Sequence, residues 1–166
     1  GRSFGFEATG VMGLFLSWAG DYAEGVDYNR LSRDVVCTLE NSIALHVTGE
    51  GVNVNVAYGL YDGGDNGATM GLLAEQNSVV VVDGGTFRSS GTRGTLVIKS
   101  GATVTVNGGF FESDNGQRVV SNEGGSLTIT GGTFANYNPE AFVADGYTVV
   151  AETQADGAVW YTVVAQ

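Results

Sequence analysis

The chain has 166 residues, with 7 basic side chains against 18 acidic ones and a formal net charge of −11. That length fits one domain able to bury its own core, and the lack of any Lys/Arg cluster excludes nucleic acid and anionic membrane surfaces as partners. Twenty-seven glycines with a single proline exclude collagen and argue against a helical protein, since glycine costs about 1 kcal/mol relative to alanine inside a helix. Many short strands joined by tight turns are the expected alternative.

Residues 1–42 carry no period. Phe4-Gly-Phe6 and Val11–Leu16 read as strands of an N-terminal cap, and Asp27–Val36 as a short helix with Tyr28, Leu31 and Val35 on one face. The apolar run Val11–Ala19 is too short to span a bilayer, so no membrane insertion is expected. Its Val11–Trp18 part has a second reading, as the contact of a homo-oligomer. Gly1 in place of an initiator Met is expected of a processed or trimmed chain.

From residue 43 the chain repeats itself. Val80-Val-Val-Asp-Gly-Gly-Thr-Phe87, Val104-Thr-Val-Asn-Gly-Gly-Phe-Phe111 and Leu127-Thr-Ile-Thr-Gly-Gly-Thr-Phe134 put their last phenylalanines 24 and 23 residues apart, and Val54-Asn-Val-Ala-Tyr-Gly-Leu-Tyr61 lies 26 residues upstream. A second apolar column precedes each copy by seven residues, at Val47, Leu73, Val97 and Val120, and continues at Val143 before Val150. Alternating β-branched residues, then Gly-Gly, then an aromatic describe a strand, a sharp turn and an inward side chain. A period of 23 to 26 residues divides into three strands and three bends, and repeats of this length mark stacked units. The fold class expected is all-β: a single-stranded parallel β-helix, or β-solenoid, of about five coils over 43–150, right-handed as parallel crossovers are. Phe87, Phe111 and Phe134 should stack roughly 4.8 Å apart, with Tyr61 extending the column.

Beyond the repeats, Asp156-Gly157 separates two alternating runs and predicts a hairpin that begins near 148. Residues 151–166 are read as a C-terminal cap, with Trp160 and Tyr161 covering the open end.

The block Gly124-Gly-Ser-Leu-Thr-Ile-Thr-Gly-Gly-Thr-Phe134 resembles the repeats of bacterial surface, adhesin-like proteins and of pectate-lyase-like parallel β-helices. The tail Asn138-Pro-Glu-Ala-Phe-Val-Ala-Asp-Gly-Tyr-Thr-Val149 is similar to segments that close such arrays. The resemblance covers roughly residues 47–164. It implies the fold, an extracellular, cell-surface or phage-particle location, and a range of roles from adhesive stalk to polysaccharide cleavage.

The chemistry-bearing residues are few. A lyase of this fold would use calcium-binding acids with an Arg or Lys base, and Asp83 with Arg88 is the pair to consider; a solvated polar turn explains the same residues. A glycosidase needs two carboxylates about 5 to 9.5 Å apart, for which Glu112 and Asp114, or Asp62 and Asp65, are close in sequence. Asp62-Gly-Gly-Asp-Asn-Gly67 alternates oxygen ligands with glycines, making Asp62 and Asp65 the Ca2+ candidates, although the loop lacks the full calcium-binding pattern. His46 and Cys37, each the only one of its type, are too few for a zinc site, and Cys37 reads as a small buried apolar residue. No other cofactor motif occurs. The expected function is a non-enzymatic surface module for adhesion or display, its partner a glycan or a cell-surface component. The alternative is a polysaccharide-binding or polysaccharide-cleaving domain.

Overall fold

In the computed structural model of the protein, residues 2–6, 14–18, 30–32, 34–114 and 118–166 are described. They form a parallel β-solenoid of about four turns. Strands β1 (Arg2–Phe6), β2 (Leu14–Trp18), β3 (Arg30–Ser32) and β4 (Val35–Val36) come first. The first full turn holds β5 (Ile43–Thr48), β6 (Asn53–Tyr58) and β7 (Leu60–Asp62). The second holds β8 (Met70–Glu75), β9 (Val79–Val82) and β10 (Thr86–Arg88), and the third β11 (Gly94–Lys99), β12 (Thr103–Val106) and β13 (Phe110–Glu112). The fourth holds β14 (Val120–Glu123), β15 (Ser126–Ile129) and β16 (Thr133–Ala135). A 3-10 turn at Glu140–Phe142 then leads to β17 (Tyr147–Thr153) and β18 (Val159–Ala165).

Three sheets result. Sheet I runs β1-β2-β5-β8-β11-β14, sheet II β3-β6-β9-β12-β15, and sheet III β4-β7-β10-β13-β16-β18-β17. Every pairing is parallel except β1 with β2, β16 with β18, and β17 with β18.

The aromatic column is present as expected. Tyr61, Phe87, Phe111 and Phe134 are fully buried, with successive ring centroids 4.9, 5.2 and 4.8 Å apart and planes within 14°. The Gly-Gly pairs that precede it have two separate reasons. A Cβ on the first glycine would collide with the backbone of the turn before: Gly108 with the carbonyl oxygen of Asp83, Gly131 with that of Asn107. The second glycine of each pair, Gly85, Gly109 and Gly132, takes φ of +94°, +99° and +87°, a region open to glycine at no steric cost.

The two ends of the solenoid depart from expectation. The repeat extends upstream, not downstream. Strands β2, β3 and β4 add in parallel to β5, β6 and β7, so Arg30–Ser32 and Val35–Val36 are strands where a helix is expected. Leu31 and Val35 are both buried because a corner of the solenoid lies between them, not a helical turn. The row of backbone donors and acceptors on β6 and β7 is satisfied by these strands, which helical spacing would leave open. Val11–Gly13 and Asp27–Asn29 lie outside the described residues. Strand β2, in the run read first as a cap strand and second as a subunit contact, is paired on both edges.

Downstream, the expected coil at Val143–Val150 is replaced. Val143 makes one isolated parallel bridge to Ile129, and Val150 is 51% exposed on the hairpin. Strand β18 pairs antiparallel with β16 and so occupies the edge a further turn would need. The core at this end is met by Val163, Tyr137, Phe142, Val143 and Val149. Trp160 instead faces outward and packs edge-on against Phe110, 5.0 Å away.

The second apolar column also shifts. Val47 pairs with Ala74, Leu73 with Val97, and Val120 with Leu96. The corner between sheets I and II shortens from the first turn to the second and again from the third to the fourth, so a constant offset of seven does not follow one column. Leu73 and Val97 are buried with Met70 in a small cluster separate from the solenoid core.

Replacing Phe111 by Ala should cost about 3–5 kcal/mol, the range for a buried phenylalanine. Val79→Ala, at a half-exposed position, should cost about 1 kcal/mol or less. Chemical denaturation of the two variants measures both, and equal midpoints would contradict the aromatic column as the main support.

Candidate functional site

The inward aromatics dictate what stands outside. In a strand, neighbours of an inward residue face out, so Tyr61, Phe87 and Phe111 force Asp62, Arg88 and Glu112 onto the outer face of sheet III. The register aligns these three directly, on adjacent strands β7, β10 and β13. A carboxylate, a guanidinium and a second carboxylate therefore stand in one row, one strand spacing apart.

Arg88 Nε donates to Asp62 Oδ2 at 2.9 Å, and its Nη1 lies 3.8 Å from Glu112 Oε1. The other Asp62 oxygen accepts the Gly64 N–H at 2.9 Å, the local turn that Asp favours ahead of a glycine. One corner further on, Ser90 Oγ donates to Asp114 Oδ2 at 2.8 Å. These groups line an open groove of about 370 Å³, whose wall also includes Asp65 and Cys37.

Five of the six candidate residues thus converge: Asp62, Asp65, Arg88, Glu112 and Asp114. Asp83 does not join them. It sits at the corner between sheets II and III, where Asn55 Nδ2 and Asn107 Nδ2 donate to its two oxygens at 2.7 and 3.0 Å. Thr130 Oγ1 donates in turn to Asn107 Oδ1 at 2.6 Å. Asp83 is one rung of a polar ladder tying four successive turns together, and Arg88 makes its ion pairs with Asp62 and Glu112. Ser90 and Cys37 are groove residues that reading by neighbouring acids overlooks. The signal was the repeat itself: Gly64, Ser90 and Asp114 follow one another by the same 26 and 24 residues that separate Tyr61, Phe87 and Phe111.

The hydrogen bond from Arg88 to Asp62, and then the charges of Asp62, Glu112 and Asp114, raise the guanidinium above its already high pKa. In this geometry it holds its proton and donates to Asp62. Among the described residues, no group of three or more His, Cys, Asp or Glu side chains is placed to hold a metal ion. His46 Nε2 lies 2.6 Å from Glu75 Oε2, bridging β5 and β8 of sheet I.

Burial, with a smaller contribution from Asp62, pushes the Cys37 thiol from the ordinary 9.0 to about 11. Between these values an unfolded chain has released a proton that the folded one still holds, so rising pH favours unfolding. Stability should therefore decline from pH 9 to about 11, and Cys37→Ala should flatten that decline. Folded protein should resist thiol reagents at neutral pH and react on denaturation. Fast labelling of the folded chain would contradict this.

Comparison with protein-family models, curated proteins and solved structures gave no match. The fold assignment rests on the register of the chain's own ladders.

Proposed function

We propose that the chain is a non-enzymatic binding and display module of an extracellular or particle-surface protein. It is a right-handed parallel β-helix of the adhesin-like kind, with a neutral glycan as its ligand. The observation that carries this reading is the row Asp62–Arg88–Glu112, joined by Ser90 and Asp114, in one groove on a stiff sheet. Such a row offers a planar donor between acceptors at strand spacing, which suits the hydroxyls of a sugar chain. Phe110, on the same face as Glu112, and Trp160 beside it supply apolar ring surface for sugar C–H groups. Four carboxylates against one guanidinium in the groove repel acidic polysaccharides and favour neutral ones. No helix among the described residues is long and apolar enough to cross a membrane.

Cleavage is the second reading. Asp62 and Glu112 both reach Arg88, at 2.9 and 3.8 Å from its guanidinium nitrogens, so their carboxylates lie no further apart than those of an inverting glycosidase. Arg88 fills the space between them, where the scissile bond and the attacking water would have to lie. The groove is therefore better suited to holding a chain than to cutting it.

Titration against neutral and acidic glycans, with and without calcium, tests the proposal. Binding to a neutral glycan without release of reducing ends or unsaturated products is expected. Arg88→Ala should weaken it about tenfold or more while leaving stability within about 1 kcal/mol, because the Arg88 ion pairs are partly exposed. Turnover abolished by Asp62→Asn or Glu112→Gln would replace binding by catalysis, and no affinity for any glycan would remove the ligand assignment.

A further inference from the structure

Strand β17 is the outermost strand of sheet III, hydrogen-bonded only to β18. Its seven residues make it the longest free edge among the described strands. The other margins are shorter: β1 has five residues, β14 and β15 four each, β3 three and β4 two. The edge of β15 is partly covered by Val143 and Ala144. From Tyr147 to Ala151 the β17 edge has no charge and no proline, the features that protect exposed edges elsewhere.

The two hairpin strands carry one sequence twice. Tyr147-Thr-Val-Val-Ala151 and Tyr161-Thr-Val-Val-Ala165 are identical. They pair antiparallel with Val149 opposite Val163, so that Tyr147 faces Ala165, Thr148 faces Val164, Val150 faces Thr162 and Ala151 faces Tyr161. This five-residue strand is complementary to an antiparallel copy of itself, and the molecule contains one such pairing. Its outer edge presents the same strand again.

We infer that β17 pairs with β17 of a second copy of this chain, about a two-fold axis through Val149. The residue pairs across that axis are Tyr147 with Ala151, Thr148 with Val150, and Val149 with itself. They reproduce, position for position, the side-chain pairs the strand makes with β18. The backbone permits this. Gln154 N–H donates to Ala158 O at 2.7 Å and Gln166 N–H to Gly146 O at 2.9 Å, which places even-numbered β17 residues toward β18. By the alternation of antiparallel ladders, the backbone groups of Val149 and Ala151 point outward. Val150 and Val164, 51% and 37% exposed, add apolar surface beside the seam.

Five paired residues extend about 17 Å, a contact smaller than the roughly 1,200 Å² of a standard stable interface. The dimer is a weak one. The charge of −11 on each copy opposes it, and salt, by screening that repulsion, strengthens it.

Sedimentation velocity over a concentration series, at low and high salt, tests the contact. The wild-type chain should pass from monomer to dimer and no further, with dimerisation tighter at high salt. Ala151→Pro removes an outward N–H from each copy without removing a bond to β18, and should weaken dimerisation about tenfold or more. Val150→Lys, at an exposed position, leaves the fold intact and should also weaken it, although it lowers the net charge that drives the copies apart. It decides the matter should Ala151→Pro prove misfolded by circular dichroism. A monomer at every concentration and salt would overturn the inference. So would growth past the dimer, or a dimer that both variants leave as tight as before.

Discussion

The stack of Tyr61, Phe87, Phe111 and Phe134 governs most of what this molecule presents. Each ring lies almost parallel to the next at about the strand spacing, so the stack holds the turns in register along sheet III. A one-residue slip of any of these strands would turn its ring outward and bury its polar neighbours. The same restraint places Asp62, Arg88 and Glu112 in one outward row. The groove is therefore a consequence of the core: its residues are positioned by what lies behind them.

The glycine pairs set the other limit. The backbone of one turn lies so close against the next that a methyl group at Gly84, Gly108 or Gly131 has no room. This close approach allows the polar ladder Asn55–Asp83–Asn107–Thr130 to form on the outside of the corner. Asp83 looks catalytic when read beside Arg88 in the chain. In the solenoid, sequence neighbours around a Gly-Gly corner face different surfaces, while residues a full period apart become neighbours.

How much was legible follows from that geometry. The strands, the Gly-Gly turns and the aromatic column were readable because each rests on local alternation and a repeated motif. The groove was readable in part. Asp62, Arg88 and Glu112 each follow an aromatic of the column by one residue, yet grouping acids by closeness in sequence split Asp62 from Glu112. Two features were not legible. Strands β3 and β4, in a segment read as a helix, match no repeat motif, because they answer to the backbone edge of β6 and β7, which accepts many side chains. The end of the solenoid was also hidden. Val143 and Val150 keep the apolar spacing, but whether the chain continues or turns back depends on β18 reaching the edge of β16 first, a competition between distant segments.

The groove and the β17 edge belong to the same sheet, and this links the two proposals physically. An antiparallel two-fold pairing keeps corresponding side chains on the same face. Joining β17 to its copy would make one continuous sheet whose outer face carries two Asp62–Arg88–Glu112 rows. Nine strand spacings separate the two copies of β10, given the order β10-β13-β16-β18-β17 on each side, or about 43 Å. Two weak sites at a fixed separation bind a long polymer more tightly than either does alone, provided the polymer spans the gap. A contact too small to hold a dimer in dilute solution gains in the same way, because a bound chain raises the local concentration of its partner. Pairing and ligand binding would then reinforce each other on a repetitive surface glycan, although neither interaction is strong by itself.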